Sequence, residues 1–158
     1  MTLLTIINFG LVALGSNPNG RTVTKNPIEV AEQIQWSSGT GANQANASYE
    51  SETTIAPSAT TTFDFAGGGL EDPFGAAIAL TAIKLVYIEN TGTEAIIVGG
   101  SNGMVAVSFV LRAGERVLKA AGDATAYPVA AGSSDTITLM NTSGATAAAY
   151  RIVVIGAQ

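Results

Sequence analysis

The chain has 158 residues, of which 47% are hydrophobic and only 12% are charged, and its formal net charge is −5. This length fits one domain with a sizeable core. The absence of cysteine excludes disulfides, and the absence of histidine removes the commonest general base and metal ligand.

The low charge content indicates how the surface is built. Soluble domains usually carry about twice this fraction of charged residues, so Thr, Ser, Asn, Gly and Ala must cover most of the outside. Such a surface suits a protein packed against copies of itself, with a simple monomer as the alternative. The seven basic residues are scattered, and phosphate binding needs clustered Lys and Arg. We therefore expect no nucleic-acid partner.

The first 27 residues are predicted to form an N-terminal arm or an extra strand. Leu3 to Leu14 has strand composition, residues 16–20 (SNPNG) form a turn, and residues 21–27 form an extended connector. A secretion signal would need a positively charged start, which this segment lacks, and Asn8 interrupts its apolar stretch. It is too short to span a membrane, and we expect no membrane partner. The arm either joins its own sheet or reaches a neighbouring subunit.

The next segments are read from alternation and turn signals. Val30 to Trp36 alternates as a strand does, although a short helix from Ile28 is an alternative. Residues 37–47 (SSGTGANQANA) are predicted to be a flexible loop. The strongest strand is Leu80 to Glu89. It places Ile83, Leu85 and Tyr87 on one face and Lys84, Val86 and Ile88 on the other, which predicts that both faces are covered. The other predicted strands are Tyr49–Ile55, Thr60–Phe65, Glu94–Val98, Val105–Leu111, Arg116–Ala120, Ala126–Val129, Thr136–Asn141 and Ala147–Ile155.

Short strands at this spacing, with turns between them, are typical of a sandwich or a barrel. Pro128 places its strand at a sheet edge. We predict an all-β fold, a single-domain jelly-roll-like β-sandwich of about 8–10 strands, with residues 28–158 as the sandwich and 1–27 as its N-terminal extension.

The search for reactive groups gives no catalytic, cofactor-binding or metal-binding residue. Ser-His-Asp and Cys-His sites cannot be built without histidine. Asp64, Glu71 and Asp72 are the nearest approach to a calcium site, against a solvated acidic turn. The carboxylate pairs are Glu50 with Glu52 and Glu29 with Glu32, and such pairs on strands are usually exposed charge. We expect no enzyme activity and no cofactor.

Three further groups have an ordinary structural explanation beside a functional one. Gly39–Gly41 and Gly67–Gly69 lack the flanking residues of a phosphate-binding loop and are expected to be turn glycines. Arg112, Arg116 and Lys119 form either a small basic rim or a solvated hairpin face. Five aromatic residues could line a sugar-binding face, namely Trp36, Tyr49, Tyr87, Tyr127 and Tyr150. The strand pattern, however, places Tyr87 and Tyr150 in the core, and Tyr127, beside Pro128, is expected at the surface.

The segments DPFGAAIALTAIKLVYIENTGTEAIIVGG and LRAGERVLKAAGDATAYPVAAGSSDTITLMNTSGATAAAYRIVVIG resemble small virion proteins of tailed bacteriophages. The shared features are an "FG…IKxxYIxNT" strand and hairpin, an "xxGExxLxxA" turn and a closing "D.I.xxNxSGxxAxYxIxIxG" hairpin. The resemblance covers roughly residues 72–156, and residues 1–71 carry none. It implies a jelly-roll structural module and brings no catalytic residue with it.

This resemblance implies a decoration or cement protein on the outer capsid surface of a virion. Its partners would be the major capsid protein and its own copies in a homotrimer. Two alternatives remain open. One is a tail, fibre or baseplate component that contacts the host surface, with residues 37–47 and 66–75 as its tips. The other is a carbohydrate-binding β-sandwich module.

Overall fold

A computed structural model describes residues 5–14, 27–67 and 69–158, and it describes side-chain surroundings for Asn8 and from Gln33 onward. The described residues form twelve strands and one 3₁₀ helix at Gly103–Val105. The strands are β1 (Thr5–Leu14), β2 (Pro27–Ser38), β3 (Gln44–Ala45), β4 (Ala47–Ile55), β5 (Thr60–Asp64), β6 (Ala82–Asn90), β7 (Ile96–Gly99), β8 (Phe109–Leu111), β9 (Arg116–Ala120), β10 (Tyr127–Pro128), β11 (Thr136–Asn141) and β12 (Ala148–Ala157).

Two antiparallel sheets form the body. In the first, β4, β12 and β6 are neighbours, and β9 and β10 pair with the other edge of β6 at different points along it. In the second, the order is β5, β11, β7, β8. We call these the five-stranded and the four-stranded sheet. Their inner faces pack together around one apolar core, which confirms the predicted all-β sandwich.

The core follows the period-2 alternation of strands. Tyr150, Ile152 and Val154 of β12 all point inward and are essentially inaccessible to solvent, as the sequence predicts. From the four-stranded sheet, Ile137 and Leu139 of β11 pack against them. An aromatic cluster closes one part of the core: Tyr49, Phe63, Phe65 and Tyr150, with the Phe63 and Tyr150 rings 6.0 Å apart in an edge-to-face contact.

The N-terminal segment forms a long two-stranded ribbon. β1 pairs with β2 over ten residues, from Thr5 opposite Trp36 to Leu14 opposite Pro27. At the base of this ribbon, Ser37 and Ser38 pair in parallel with β3. β1 pairs with no other described strand. The predicted turn at 16–20 and the connector up to residue 26 lie outside the described residues. The predicted loop at 37–47 was wrong at β3, where Ala45 is fully buried.

The predicted strand Val105–Leu111 was also wrong in its first half. The Asn102 side chain accepts a hydrogen bond from the Met104 backbone N–H and caps the 3₁₀ helix. This helix buries Met104 and Val105 without strand pairing, and Val107 is 81% exposed. The alternation of apolar and small residues from Val105 onward does not distinguish a 3₁₀ helix from a strand, because the helix depends on the hydrogen bond to the Asn102 side chain. Strand pairing starts only at Phe109.

β6 contains an irregularity that corrects its predicted faces. Ile155 pairs with Leu85, but the next residue, Gly156, pairs with Ile83, so Lys84 is an extra residue in β6. The bulge puts Ile83 in the central core with Val86 and Ile88. The alternation had predicted Ile83 on the face of Leu85. The prediction that both faces of this strand are covered is confirmed, because Leu85 is buried in a separate cluster.

Candidate interaction surfaces

The outer face of the five-stranded sheet is partly covered by the base of the ribbon. Trp36, the single tryptophan, is fully buried there with Ala45, Leu85 and Ile155. Tyr87 and Val153 pack at the margin of this cluster. The indole Nε1 has no hydrogen-bond partner among the described residues. This region of the outer face is therefore a small second core.

Beyond Trp36, the same outer face carries a row of alternating charges. Glu52, Arg151, Glu89 and Arg116 are successive cross-strand neighbours on β4, β12, β6 and β9. The ion-pair distances along the row are 2.6, 3.8 and 3.4 Å. The hydrogen bond from Arg151 to Glu52 is the main reason that the pKa of this guanidinium is raised. We call this row the charge ladder.

The Tyr87 hydroxyl links the charge ladder to the cluster around Trp36. It donates a 2.7 Å hydrogen bond to Glu89 Oε2. Burial of the phenol raises the pKa of Tyr87, and the hydrogen bond to Glu89 and the Glu89 charge raise it further. The phenol therefore stays protonated and remains a donor at neutral pH.

The outer face of the four-stranded sheet is different in chemistry. Asp64 is the single charged residue in its four strands, β5, β11, β7 and β8. One row across these strands consists of Thr60, Met140, Ile97 and Val110, all pointing away from the core. Val110 is 52% exposed and Met140 is 40% exposed. We call this surface, with the adjacent Thr62, Thr138 and Gly99, the uncharged face.

At Gly99, the uncharged face has no room for a side chain. A Cβ at this position would lie 2.9 Å from the Ser108 hydroxyl, which is too close for a real contact. Thr62, Thr138 and Gly99 form a second row beside the apolar one. The surface thus presents methyl groups and hydroxyls side by side.

The acidic residues proposed for calcium do not form a ligand set. Asp64 accepts a hydrogen bond from the Ala66 N–H, and Asp72 accepts from the N–H groups of Phe74 and Ala76. These bonds stabilise turns. In the described ranges, no group of three or more Asp, Glu, His or Cys residues could hold a metal ion.

The two carboxylate pairs have different outcomes. Glu50 and Glu52 lie on exposed β4, and Glu52 is bonded to Arg151 in the charge ladder. Glu29 and Glu32 belong to β2, and their side chains lie outside the described residues. Glu52 thus has a partner in the sheet, as expected for surface charge.

The five aromatic residues considered for sugar binding do not form an exposed platform. Trp36 and Tyr150 are fully buried, and Tyr49 and Tyr87 are half-buried against the clusters described above. Tyr127, expected at the surface, is half-buried against the core because its strand pairs with β6. The most exposed aromatic side chain among the described residues is Phe74, in the 72–76 turn.

The three basic residues near one another in sequence differ in their surroundings. Arg116 belongs to the charge ladder, while Lys119 turns to the inner side of β9 and donates a 2.5 Å hydrogen bond to the Met104 carbonyl. The Lys119 ammonium also lies 5.5 Å from the centre of the Phe109 ring. Arg112 is exposed at the turn before β9. The basic-rim interpretation is not supported by this arrangement.

Three buried asparagines hold the loops at the ends of the strands. Asn90, Asn102 and Asn141 are fully buried, and each donates to two or three backbone carbonyls and accepts from one backbone N–H. Satisfied buried amides fix loop geometry, because any other arrangement leaves polar groups unpaired. Their identity as turn residues was visible in the sequence, but their burial was not.

Lys84, the bulge residue, holds another loop. It is fully buried, and its ammonium donates to the carbonyls of Asp123 (2.6 Å) and Ala124 (2.5 Å). Within that loop, Asp123 accepts bonds from the Ala126 N–H and the Thr125 hydroxyl, and these bonds lower its pKa. A lysine in a strand pattern is normally expected to be exposed, so this role could not be predicted from the sequence.

Comparison with known proteins finds no match to the chain among protein-family models, curated proteins or solved structures. Within the described ranges, no helix has the length and apolar character needed to cross a membrane. Sequence reasoning missed the uncharged face as a continuous surface. The low charge content was its only signal, since the face joins strands that are distant in the chain.

Proposed function

We propose that this protein is a structural component of a bacteriophage virion. It decorates the outside of the capsid and stabilises it by bridging neighbouring major capsid subunits, as a homotrimer. The observation that carries the proposal is the uncharged face, a surface of Thr, Met, Ile and Val side chains on strands whose single charged residue is Asp64. Contiguous exposed surface with apolar side chains supports the proposal that a protein partner binds here.

The strand order supports the jelly-roll part of the proposal. Eight strands of the sandwich are divided equally between the sheets, with β4, β12, β6 and β9 adjacent in one and β5, β11, β7 and β8 adjacent in the other. Two such interleaved four-strand sets are the arrangement of a jelly roll, a fold used in viral shells. It agrees with the resemblance of residues 72–156 to small phage virion proteins.

The chemistry of the surface supports a mechanical role on the outside of a shell. The net charge of −5 disfavours the DNA-facing side. The three buried asparagines and Lys84 hold the loops with internal bonds, so these loops have fixed shapes to offer a neighbour. Stable contacts bury about 1,200–2,000 Å², and weaker contacts repeated over a shell add up through avidity.

The copy number of the protein in purified particles, measured against the major capsid protein by quantitative mass spectrometry, tests this function. We expect a number comparable with that of the capsid protein. A few copies per particle would transfer the protein to the tail, fibre or baseplate. Absence from particles would overturn the virion role and leave the carbohydrate-binding module to be tested by glycan binding.

A second measurement separates stabilising decoration from passive attachment. Particles lacking the protein are heated with and without the purified chain, and DNA release is followed. Added protein should raise the release temperature, while a variant with Met140→Lys on the uncharged face should raise it less. A variant with Leu118→Lys on the opposite outer face, where the side chain is equally exposed at 40%, is the matched control.

A further inference from the structure

The ribbon β1–β2 leaves one edge of β1 without a strand partner among the described residues. Ten residue pairs join β1 to β2, and β3 extends this sheet only at Ser37 and Ser38. Two-stranded hairpins are at best marginally stable in water. A long uncovered edge strand is also a template for pairing with another chain, and natural proteins protect such edges with charge, proline or bulges. β1, with the sequence TIINFGLVAL, contains no charge and no proline, and its register with β2 is continuous.

We propose that the ribbon of one copy lies on the uncharged face of a second copy, so that copies join in a closed ring. This proposal names the partner in the oligomer that the proposed function assumes. The two surfaces are both poor in charge: β1 has none, β2 contains Glu29 and Glu32, and the four strands of the face contain Asp64 alone. A partner with many charges would lose solvation on this face without finding counter-charges.

The base of the ribbon lies on the side of the sandwich opposite the uncharged face, so the ribbon is poorly placed to cover the uncharged face of its own chain. Its base residue Trp36 is buried against Leu85 and Ile155, on the outer face of the five-stranded sheet. The uncharged face is on the opposite side of the sandwich, with both sheets and the core between them. A ribbon of ten residues is ~33 Å long, which is enough to reach a neighbour placed beside it.

The size of the surface favours a ring over a face-to-face pair. Four strands of three to six residues offer ~300 Å² of outer face at the usual strand spacing. Two such faces in contact would bury ~600 Å², about half of what a stable complex needs. In a ring of three, every copy gives one ribbon and offers one face, so releasing one copy breaks two contacts of ~600 Å² each, ~1,200 Å² in total. Head-to-tail contacts of this kind close into rings.

The first test is the mass of the purified chain by sedimentation velocity, with one substitution on each outer face. We expect three chains per particle for the unmodified protein and for Leu118→Lys, and one chain for Met140→Lys. A monomeric unmodified protein would overturn the proposal, and so would a Met140→Lys variant that keeps the mass of the unmodified protein.

Mixing two defective variants separates ribbon-on-face contact from face-on-face contact. Met140→Lys keeps its ribbon and loses its face, while a chain without residues 1–14 keeps its face and loses β1. Each is expected to be monomeric alone, and the mixture at high protein concentration should contain a weak 1:1 dimer, because a single contact of ~600 Å² remains. Absence of that dimer would overturn the proposal. Near-UV circular dichroism of the core tyrosines checks that the truncated chain is folded, and full-length Leu11→Lys replaces it if it is not.

These results are independent of the virion role. A monomer in solution that is nevertheless present on particles in high copy number would overturn the ring and leave decoration intact. A ring in solution that is absent from particles would overturn decoration and leave the ring proposal intact.

Discussion

The two outer faces of the sandwich belong to one domain, yet their side chains differ in charge and in cover. The side chains on the outer face of the five-stranded sheet find their partners within the same chain: Trp36 covers one region, and the ion pairs of the charge ladder occupy another. The outer face of the four-stranded sheet has a row of Thr60, Met140, Ile97 and Val110, and no strand of the described ranges covers it. The difference teaches that charged residues are distributed unevenly over the two outer faces, and that the face with fewer of them is the one to which we propose that a partner binds.

The largest effect is expected at the covered region of the five-stranded sheet. Trp36→Ala removes the largest side chain of the second core and should lower the free energy of unfolding by ~3–5 kcal/mol. Urea denaturation followed by far-UV circular dichroism measures it. Phe74→Ala, at a side chain that is 79% exposed, is the control and should change stability by less than ~0.5 kcal/mol. Equal effects would mean that the ribbon base does not function as a core.

Acid should weaken the loop end of the four-stranded sheet. The pKa of Asp135 lies below its ordinary value of 3.8, mainly because the Gly132 N–H donates to the carboxylate, with a further bond from the Ser101 hydroxyl. A lowered folded-state pKa contributes stability above pH ~3.8 that is lost as the pH falls through the folded value.

This pH dependence is checked by urea denaturation between pH 5 and pH 2. Stability should decrease below pH ~4, and Asp135→Asn should make that decrease shallower. An unchanged slope in the Asn variant would show that other carboxylates dominate acid unfolding. Asp123→Asn is a useful second variant, because the pKa of Asp123 is lowered by the Ala126 N–H in the same direction.

Breaking the charge ladder should cost little. Arg151→Ala removes the residue that contacts both Glu52 and Glu89, but its side chain is partly exposed and water screens the pairs. We expect a loss of less than ~1 kcal/mol. The loss should shrink further in 1 M salt, where charges are screened over about 3 Å. A loss that is insensitive to salt would mean that Arg151 contributes through packing instead.

The smallest effect on folding is expected on the uncharged face. Val110→Thr keeps the side-chain shape at a position that is 52% exposed, so stability measured on dilute monomer should change by less than ~0.5 kcal/mol. The same exchange at buried Val154 places a hydroxyl in the core and should cost ~1–3 kcal/mol. If Val110→Thr matched Val154→Thr, the uncharged face would be part of the folded core and not a surface for a partner.

The sequence predicted the fold class well because turns and alternation are local signals. β12 and β11 were predicted within two residues at each end, and the cover on both faces of β6 followed from its apolar residues. The bulge at Lys84 was not predictable, since the contacts that stabilise it are hydrogen bonds from the Lys84 ammonium to two carbonyls about 40 residues away. The strand predicted from Val105 failed because Asn102 caps a helix there.

The candidate surfaces were harder to predict than the strands. Thr60, Ile97, Val110 and Met140 become neighbours only through pairings between strands that are distant in sequence. Trp36 was placed in a strand, but nothing local indicated that it would cover a different sheet. Long-range register is therefore the information that the sequence pattern lacked.

The position of Trp36 also gives the molecule an internal optical reporter. It is the single tryptophan, and it lies at the joint between the ribbon and the sandwich, while the tyrosines of the aromatic cluster lie in the central core. Its fluorescence should be blue-shifted when the ribbon base is docked and should move to the red when that joint opens. Detachment of the ribbon can thus be followed separately from melting of the body, in the unlabelled, unmodified chain.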